Sequence, residues 1–257
     1  MSEPGSLIRT LSGRQSARNF HSYVINEVGL AIMSGAIPVG SVLPGDAEMM
    51  DRFGVSRTVL REALKTLEAK GLVEARAKVG TRVLPQSRWS LFDRQVLSWA
   101  LESGPSPAFV RAFLVVRRGL ELESATLAAQ HRENEQMRML HYWLNQRSLM
   151  QMQPEPFALA EFEIHRILAE ASANPFLRAG SGLSEFGVAL AVKARLGPDL
   201  TAPDGGLAAE KAALYAGLVS AVETGQREEA RSAMARILHA DETALAREAQ
   251  IAPAQIT

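Results

Sequence analysis

Cysteine is absent from the 257 residues, which removes disulfides, thiolate catalysis and cysteine metal sites together. No apolar run approaches the ~20 residues that a membrane-spanning helix needs; the longest, around Phe186 to Val192, is far shorter. The stretch from Met1 to Asn19 carries Ser, Gly and Arg but no apolar centre, so no secretory signal and a cytoplasmic location are expected. Also missing are a Gly-x-Ser-x-Gly elbow, a Gly-rich phosphate loop and a His-Glu-x-x-His pair; Gly180-Ser-Gly182 comes nearest, with the wrong spacing. Enzyme activity is therefore not expected.

What is present suits two folded domains: the chain is long enough, and 47% of it is hydrophobic. The zero net charge conceals an asymmetry. Residues 1–90 hold 12 Lys+Arg against 8 Asp+Glu, and residues 91–257 hold 16 against 20. A basic front and an acidic back point to a polyanionic partner for the front alone, although an imbalance this small also arises by chance.

Residues 1–17 read as a flexible tail. A helix is predicted from Arg18 to Ser34, with Phe20, Val24, Val28 and Ile32 on one face and Gly35 ending it. Asp46 is positioned to cap a short helix over Ala47–Phe53, and Ser56 to cap the next, Arg57–Lys70, which Gly71 closes. Leu72–Arg76 and Thr81–Leu84 alternate as two short strands around a tip at Ala77–Gly80. Pro85–Trp89 reads as a linker. Beyond it every segment reads as helix: 91–103, 107–131, 134–152, 156–172, 175–196, 205–224 and 226–249, with Leu114, Leu120, Leu127, Phe157, Ile164 and Leu168 as core positions.

The Arg57–Lys70 helix carries the most chemistry. Leu60, Ala63, Leu64 and Leu67 form an apolar stripe, while Arg57, Arg61 and Lys65 recur at i, i+4 and i+8 on the other face. A helix that presents arginines and hydroxyls at its start suits the major groove, where Arg pairs with guanine in bidentate fashion. Ser56 and Thr58, with the first helical amides, suit phosphate oxygens. The hairpin supplies Arg76, Lys78 and Arg82 for phosphate or minor-groove contact, Lys78 at the tip reaching deepest. Taken alone, the helix is also compatible with an ordinary solvated surface.

The run Ile32-x-x-Gly35-x-Ile37-x-x-Gly40-x-x-Leu43-Pro44, then Phe53-Gly54-Val55-Ser56-Arg57-x-x-Leu60-Arg61-Glu62-Ala63-Leu64, Gly71-Leu72-Val73-Glu74 and Val79-Gly80-Thr81-x-Val83 closely resembles the GntR family winged helix. That resemblance implies a mainly α chain. A winged helix-turn-helix (three helices plus a β-hairpin) would occupy residues 18–84, a linker 85–90, and an all-α bundle of six to seven helices 91–250. It implies a homodimer on a palindromic double-stranded DNA operator, contacted by Ser56, Arg57, Thr58, Arg61, Lys65, Lys78, Gly80 and Thr81. Ala47 stands where several relatives have a DNA-contacting Arg.

The remainder resembles the FCD domain of the FadR subfamily, through Arg117-x-x-x-Glu121, Phe162-Glu-Ile-His165, Ala171-x-x-Asn174-Pro175, Ala221-Val222-Glu-Thr-Gly225 and Ala230-x-x-Ala233-Met234. Trp89 to Leu101 further resembles regulators of galactonate and related sugar-acid catabolism. The resemblance implies a small organic acid as effector, and in many such domains a divalent metal held by one Asp and three His. Here Glu161 and His165 keep the first ligand pair, but Tyr215 and Ile237 stand at the other two positions, so no cofactor is expected, with a divalent metal held by Glu161, His165 and a non-standard third ligand as the alternative. Arg117, Glu161, His165 and Tyr215 are instead the candidate ligand-binding set, since an Arg fork matches a carboxylate. Two alternatives stay open: Arg117 as an internal ion pair with Glu121, and His165 as a satisfied core histidine.

Overall fold

The computed structural model describes residues 5–12, 20–196, 202 and 206–248. Among these, residues 20–105 make one compact unit, and residues 5–12 with 106–248 make another.

The first unit contains α1 (Phe20–Met33), α2 (Asp46–Phe53), α3 (Arg57–Ala69), β1 (Val73–Arg76), β2 (Gly80–Val83) and α4 (Arg94–Ser103). Val24, Val28 and Ile32 bury the predicted face of α1, whereas Phe20, in its first turn, is 67% exposed. Gly45, not Asp46, is the N-cap of α2, and Asp46 already lies inside the helix. Gly54 ends α2 in the left-handed region at φ 63, which turns the chain so that Ser56 caps α3 by accepting the Val59 N–H. Leu60, Ala63 and Leu67 then pack α3 into the shared core. β1 and β2 pair antiparallel from Val73↔Val83 to Arg76↔Gly80. The Leu43 N–H donates to the Thr81 carbonyl at 2.8 Å, so the segment before α2 pins the hairpin from its outer edge.

The boundary expected at residue 90 falls at residue 105. The expected linker is tied down: Trp89 Nε1 donates to the Leu84 carbonyl at 2.9 Å, the Ser90 N–H to the Lys70 carbonyl at 2.9 Å, and Lys70 pairs with Asp93 at 2.7 Å. Helix α4 lays Trp99 on α1 where Gly29 leaves room; a Cβ at Gly29 would sit 2.6 Å from the indole. Trp99 Nε1 also donates to Asn26 Oδ1 at 3.0 Å.

The second unit contains α5 (Pro107–His131), α6 (Asn134–Leu149), α7 (Pro154–Ala171), α8 (Pro175–Ala179), α9 (Ser181–Lys193), α10 (Ala212–Glu223) and α11 (Arg227–Glu248). The single helix expected over 175–196 breaks at Gly180. Asn174 caps α8 through its side-chain oxygen, which accepts from the Phe176 and Leu177 N–H groups. Helix α5 packs against α7, α10 and α11. Its buried face is Phe113, Arg117, Glu121, Ala125 and Ala128, which leaves Leu114, Leu120 and Leu127 half-buried. The tail expectation fails for residues 5–12. Leu7 and Ile8 are buried, the segment lies on α7 and α9, and the Leu7 N–H donates to Glu185 Oε1 at 2.7 Å. The rest of that expectation, residues 1–4 and 13–17, lies outside the described residues.

Gly71, between α3 and β1, has φ +74, and a Cβ there would meet the Arg88 carbonyl oxygen at 2.0 Å. Gly71→Ala combines left-handed strain with a backbone clash. It is expected to destabilise the first unit by about 2–5 kcal/mol, measured as a lower midpoint in chemical denaturation followed by tryptophan fluorescence.

Candidate functional site

Two groups of polar residues stand apart by exposure. The first lies on α3 and the hairpin. Arg57, Thr58, Arg61 and Lys65 are all exposed, because the buried stripe of α3 turns them outward. Arg57 and Arg61 make no ion pair or hydrogen bond among the described residues, while Lys65 Nζ pairs with Glu62 at 2.9 Å. The Ser56 hydroxyl is already engaged as the α3 cap, 3.4 Å from the Val59 nitrogen. Lys78 sits at the hairpin tip with φ +63, an uncommon conformation for a non-glycine residue. Gly80 is exposed and Thr81 half-buried. Of the other hairpin cations, Arg76 pairs with Glu74 at 2.7 Å and Arg82 Nε donates to the Gly40 carbonyl at 2.8 Å. This face presents cations one turn apart beside a basic hairpin, a shape and charge that complement a duplex groove.

The second group is inside the α5–α11 unit. Arg117, Glu121, Glu161, His165 and Tyr215 are each at most 2% exposed, and the structure brings all of them together. Arg117 Nε donates to Glu121 Oε1 at 3.0 Å, and its Nη2 lies 3.1 Å from Asp241 Oδ2. His165 Nδ1 is 2.8 Å from Glu121 Oε2, and its Nε2 is 2.9 Å from the Tyr215 hydroxyl. The Arg117–Asp241 and His165–Glu121 approaches are close ion-pair contacts without hydrogen-bond alignment. Glu161 is held by Arg147 Nε at 2.9 Å and by Lys211 Nζ at 2.9 Å. Lys211 Nζ also donates to Asp241 Oδ1 at 2.8 Å, and Arg195 Nη2 reaches the same oxygen at 2.8 Å.

Burial by itself would raise these carboxyl pKa values; the neighbouring cations reverse the outcome. The Arg117 guanidinium, aided by His165, holds the Glu121 carboxyl at about 2. Lys211, then Arg117 and Arg195, hold Asp241 far below the usual carboxylate range. Glu161 is also lowered, by Lys211 and Arg147 against the opposing effect of Asp241. Tyr215 moves the other way, well above 10.0, through burial and the nearby Glu161 and Asp241.

The metal reading of Glu161 and His165 does not fit this arrangement. Both Glu161 oxygens already face cations, and both His165 ring nitrogens face partners. Tyr215 and Ile237 hold the remaining ligand positions, and among the described residues no group of three or more His, Cys, Asp or Glu is arranged to take a metal ion. Sequence reasoning treated Glu121 only as an alternative partner and missed Arg147, Lys211, Arg195 and Asp241. One of these was within reach: Asp241 follows Ile237 by four residues, the helical repeat that returns to the same face of α11. Arg147 gave no such signal, since α6 is largely polar; its guanidinium stacks over Phe157 and Tyr215, 4.9 and 4.5 Å from their ring centroids.

Comparison with known proteins bears on both groups. Residues 22–83 match the model of bacterial regulatory proteins, gntR family, and residues 112–240 match that of the FCD domain. The chain is 37% identical to the uncharacterized HTH-type transcriptional regulator YieP of Escherichia coli (strain K12), over 67% of this chain and 77% of the relative. It is 30% identical to the galactonate operon transcriptional repressor of the same strain, over 60% of this chain and 68% of the relative. Among solved structures, Lar, which controls expression of the Listeria monocytogenes agr system, aligns over 91% of this chain and 99% of its own with a TM-score of 0.58 at 15% identity. E. coli McbR/YncC aligns over 90% and 99% with a TM-score of 0.50 at 16% identity. These last two show the shared fold.

The buried carboxylates set an acid limit. Glu121 titrates at about 2 in the fold against an ordinary 4.5, and Glu161 and Asp241 are shifted in the same direction. Their stabilisation is fully present above the unfolded pKa and is lost as pH falls through the folded one. The melting temperature is therefore expected to hold level from pH 7 to about 5 and to fall progressively between about pH 4.5 and 2, checked by circular dichroism across that range.

Proposed function

Since the chain belongs to the GntR family of bacterial regulatory proteins and carries an FCD domain, and is thus a DNA-binding transcription regulator, we propose that it is a cytoplasmic repressor that leaves its operator when a polyhydroxy carboxylate binds within the α5–α11 unit. The observation that carries the effector reading is a set of buried polar atoms around Arg117 that lack hydrogen-bond partners among the described residues. A buried donor left without an acceptor is costly, and an incoming carboxylate oxygen relieves it. Arg117 Nη1 has no hydrogen-bond partner among the described residues, and neither do the acceptors Glu121 Oε2 and Asp241 Oδ2. Guanidinium donors suit a carboxylate, and spare carboxylate oxygens suit hydroxyl groups. A sugar acid offers both, in keeping with the printed name of the galactonate relative. The role of this activity is binding rather than catalysis.

On the DNA side, Ser56, Arg57, Thr58, Arg61 and Lys65 form the groove-entering edge and Lys78, Gly80 and Thr81 the wing. A two-fold dimer suits a palindromic operator. Val116, 43% exposed, and the half-buried Leu120 and Leu127 give α5 an apolar edge that supports self-association. Among the described residues no helix is long and apolar enough to cross a membrane.

Arg57→Ala is expected to weaken operator binding by about 1–3 kcal/mol while changing binding to unrelated DNA much less, measured by fluorescence anisotropy with both duplexes at one salt concentration. Equal loss on both duplexes, or none, removes Arg57 from base reading. For the effector, thermal-shift screening over aldonic and uronic acids is expected to find ligands that raise the melting temperature. Arg117→Lys, which keeps the charge but loses the fork, is expected to bind the operator normally and to need at least tenfold more of the acid for release. An unaltered dose response in that variant excludes Arg117 from the site.

A further inference from the structure

Lys211 stands out because the effector reading does not require it. It lies in the turn of 3₁₀ helix just before α10, far from any position that the helical repeats of α7 or α11 would select. Its side chain is wholly buried. Its ammonium touches carboxylates from two other helices, Glu161 Oε2 of α7 at 2.9 Å and Asp241 Oδ1 of α11 at 2.8 Å. The Tyr215 ring approaches from a third side, its centroid 5.3 Å away. Asp241 is near enough to Glu161 to oppose its ionisation, acting to raise the Glu161 pKa. Two buried anions from separate helices need a cation between them to stay together.

We infer that the Lys211 ammonium does in this domain the work of a bound divalent cation: it bridges Glu161 and Asp241, joins α7 to α11, and makes the domain independent of metal. Three features support this. An ammonium is a compact point charge with three donors, so it can serve two carboxylates from separate helices at once. The nearest imidazole, His165, shares a hydrogen bond with the Tyr215 hydroxyl at Nε2 and turns Nδ1 to within 2.8 Å of Glu121 Oε2, so both ring nitrogens already face other protein groups. And Arg117, Arg147 and Arg195 already surround the same carboxylates, so a divalent ion added beside Lys211 would face an excess of positive charge. The inference does not depend on which acid is the effector.

The experiment uses the 257-residue chain without effector. Elemental analysis after dialysis is expected to find less than about 0.1 divalent ion per chain, and neither chelator nor added manganese is expected to move the melting temperature. Lys211→Ala removes the bridge, and the melting temperature is expected to fall by roughly 6–12 °C, the scale for a broken buried ion pair in a protein of this size. Manganese is then expected to restore part of that loss in Lys211→Ala while leaving the parent unmoved, a readout that loss of packing alone would not produce. About one tightly held metal per parent chain, or a parent destabilised by chelator, overturns the inference, and this arm remains decisive should the variant fail to fold. A Lys211→Ala protein as stable as the parent, or one destabilised but indifferent to manganese, also overturns it.

Discussion

Asp241 is the point on which the effector domain turns. One wholly buried carboxylate meets Arg117 of α5, Arg195 just past α9 and Lys211 ahead of α10. Glu161 then passes the network on to Arg147 of α6, and Glu121 to His165 of α7. Burying so many ionised groups carries a large desolvation cost, which only close and mutually compensating contacts offset. The arrangement therefore stands less as a source of stability than as a constraint on which helix packing is allowed. A slip of one helix by a turn would strand a charge without its partner. The surrounding apolar cluster of Leu140, Ile164, Leu168, Leu218, Val222 and Ile237 supplies the burial energy, and the charges select the arrangement.

The DNA-binding unit uses the same residue types in the opposite way. Its arginines on α3 stay in water, where holding a charge costs little and a phosphate or guanine can displace solvent. Even the neighbouring carboxylate Glu62 is answered locally by Lys65, so it blunts rather than cancels the basic face. The long sides of α3 thus divide the work between Leu60 and Leu67 inward and Arg57 and Arg61 outward. The rigid hairpin, pinned by the Leu43–Thr81 bond, fixes the wing beside them.

Legibility in the sequence followed the range of the interactions. The three helices and hairpin of the first unit could be read because each depends on its own repeat and its own turn residues: the Ser56 cap, Gly54, Gly71 and the alternation across residues 72–84. The wet face of α3 was equally readable. The boundary was not, since α4 has an apolar face that would suit either unit, and contacts across the chain, such as the fit of Trp99 against Gly29 and its hydrogen bond to Asn26, decide between them. Within the buried site, Arg117, Glu161, His165 and Tyr215 were found, because family spacing marks them. Lys211 and Arg147 were not, because their partners lie 50 and 14 residues away, across helices whose mutual register no local pattern encodes.

The packing of residues 5–12 on α7 and α9 has a topological consequence. Leu7 and Ile8 fill the same bundle that the chain re-enters at residue 106, so in covalent order the DNA-binding unit is an insertion within the effector domain. A fragment cut at the boundary and begun at residue 106 would keep all seven helices yet lack a piece of its own interior. The Glu185 carboxylate would lose the Leu7 amide, and the seam that Leu7 and Ile8 cover would open to water.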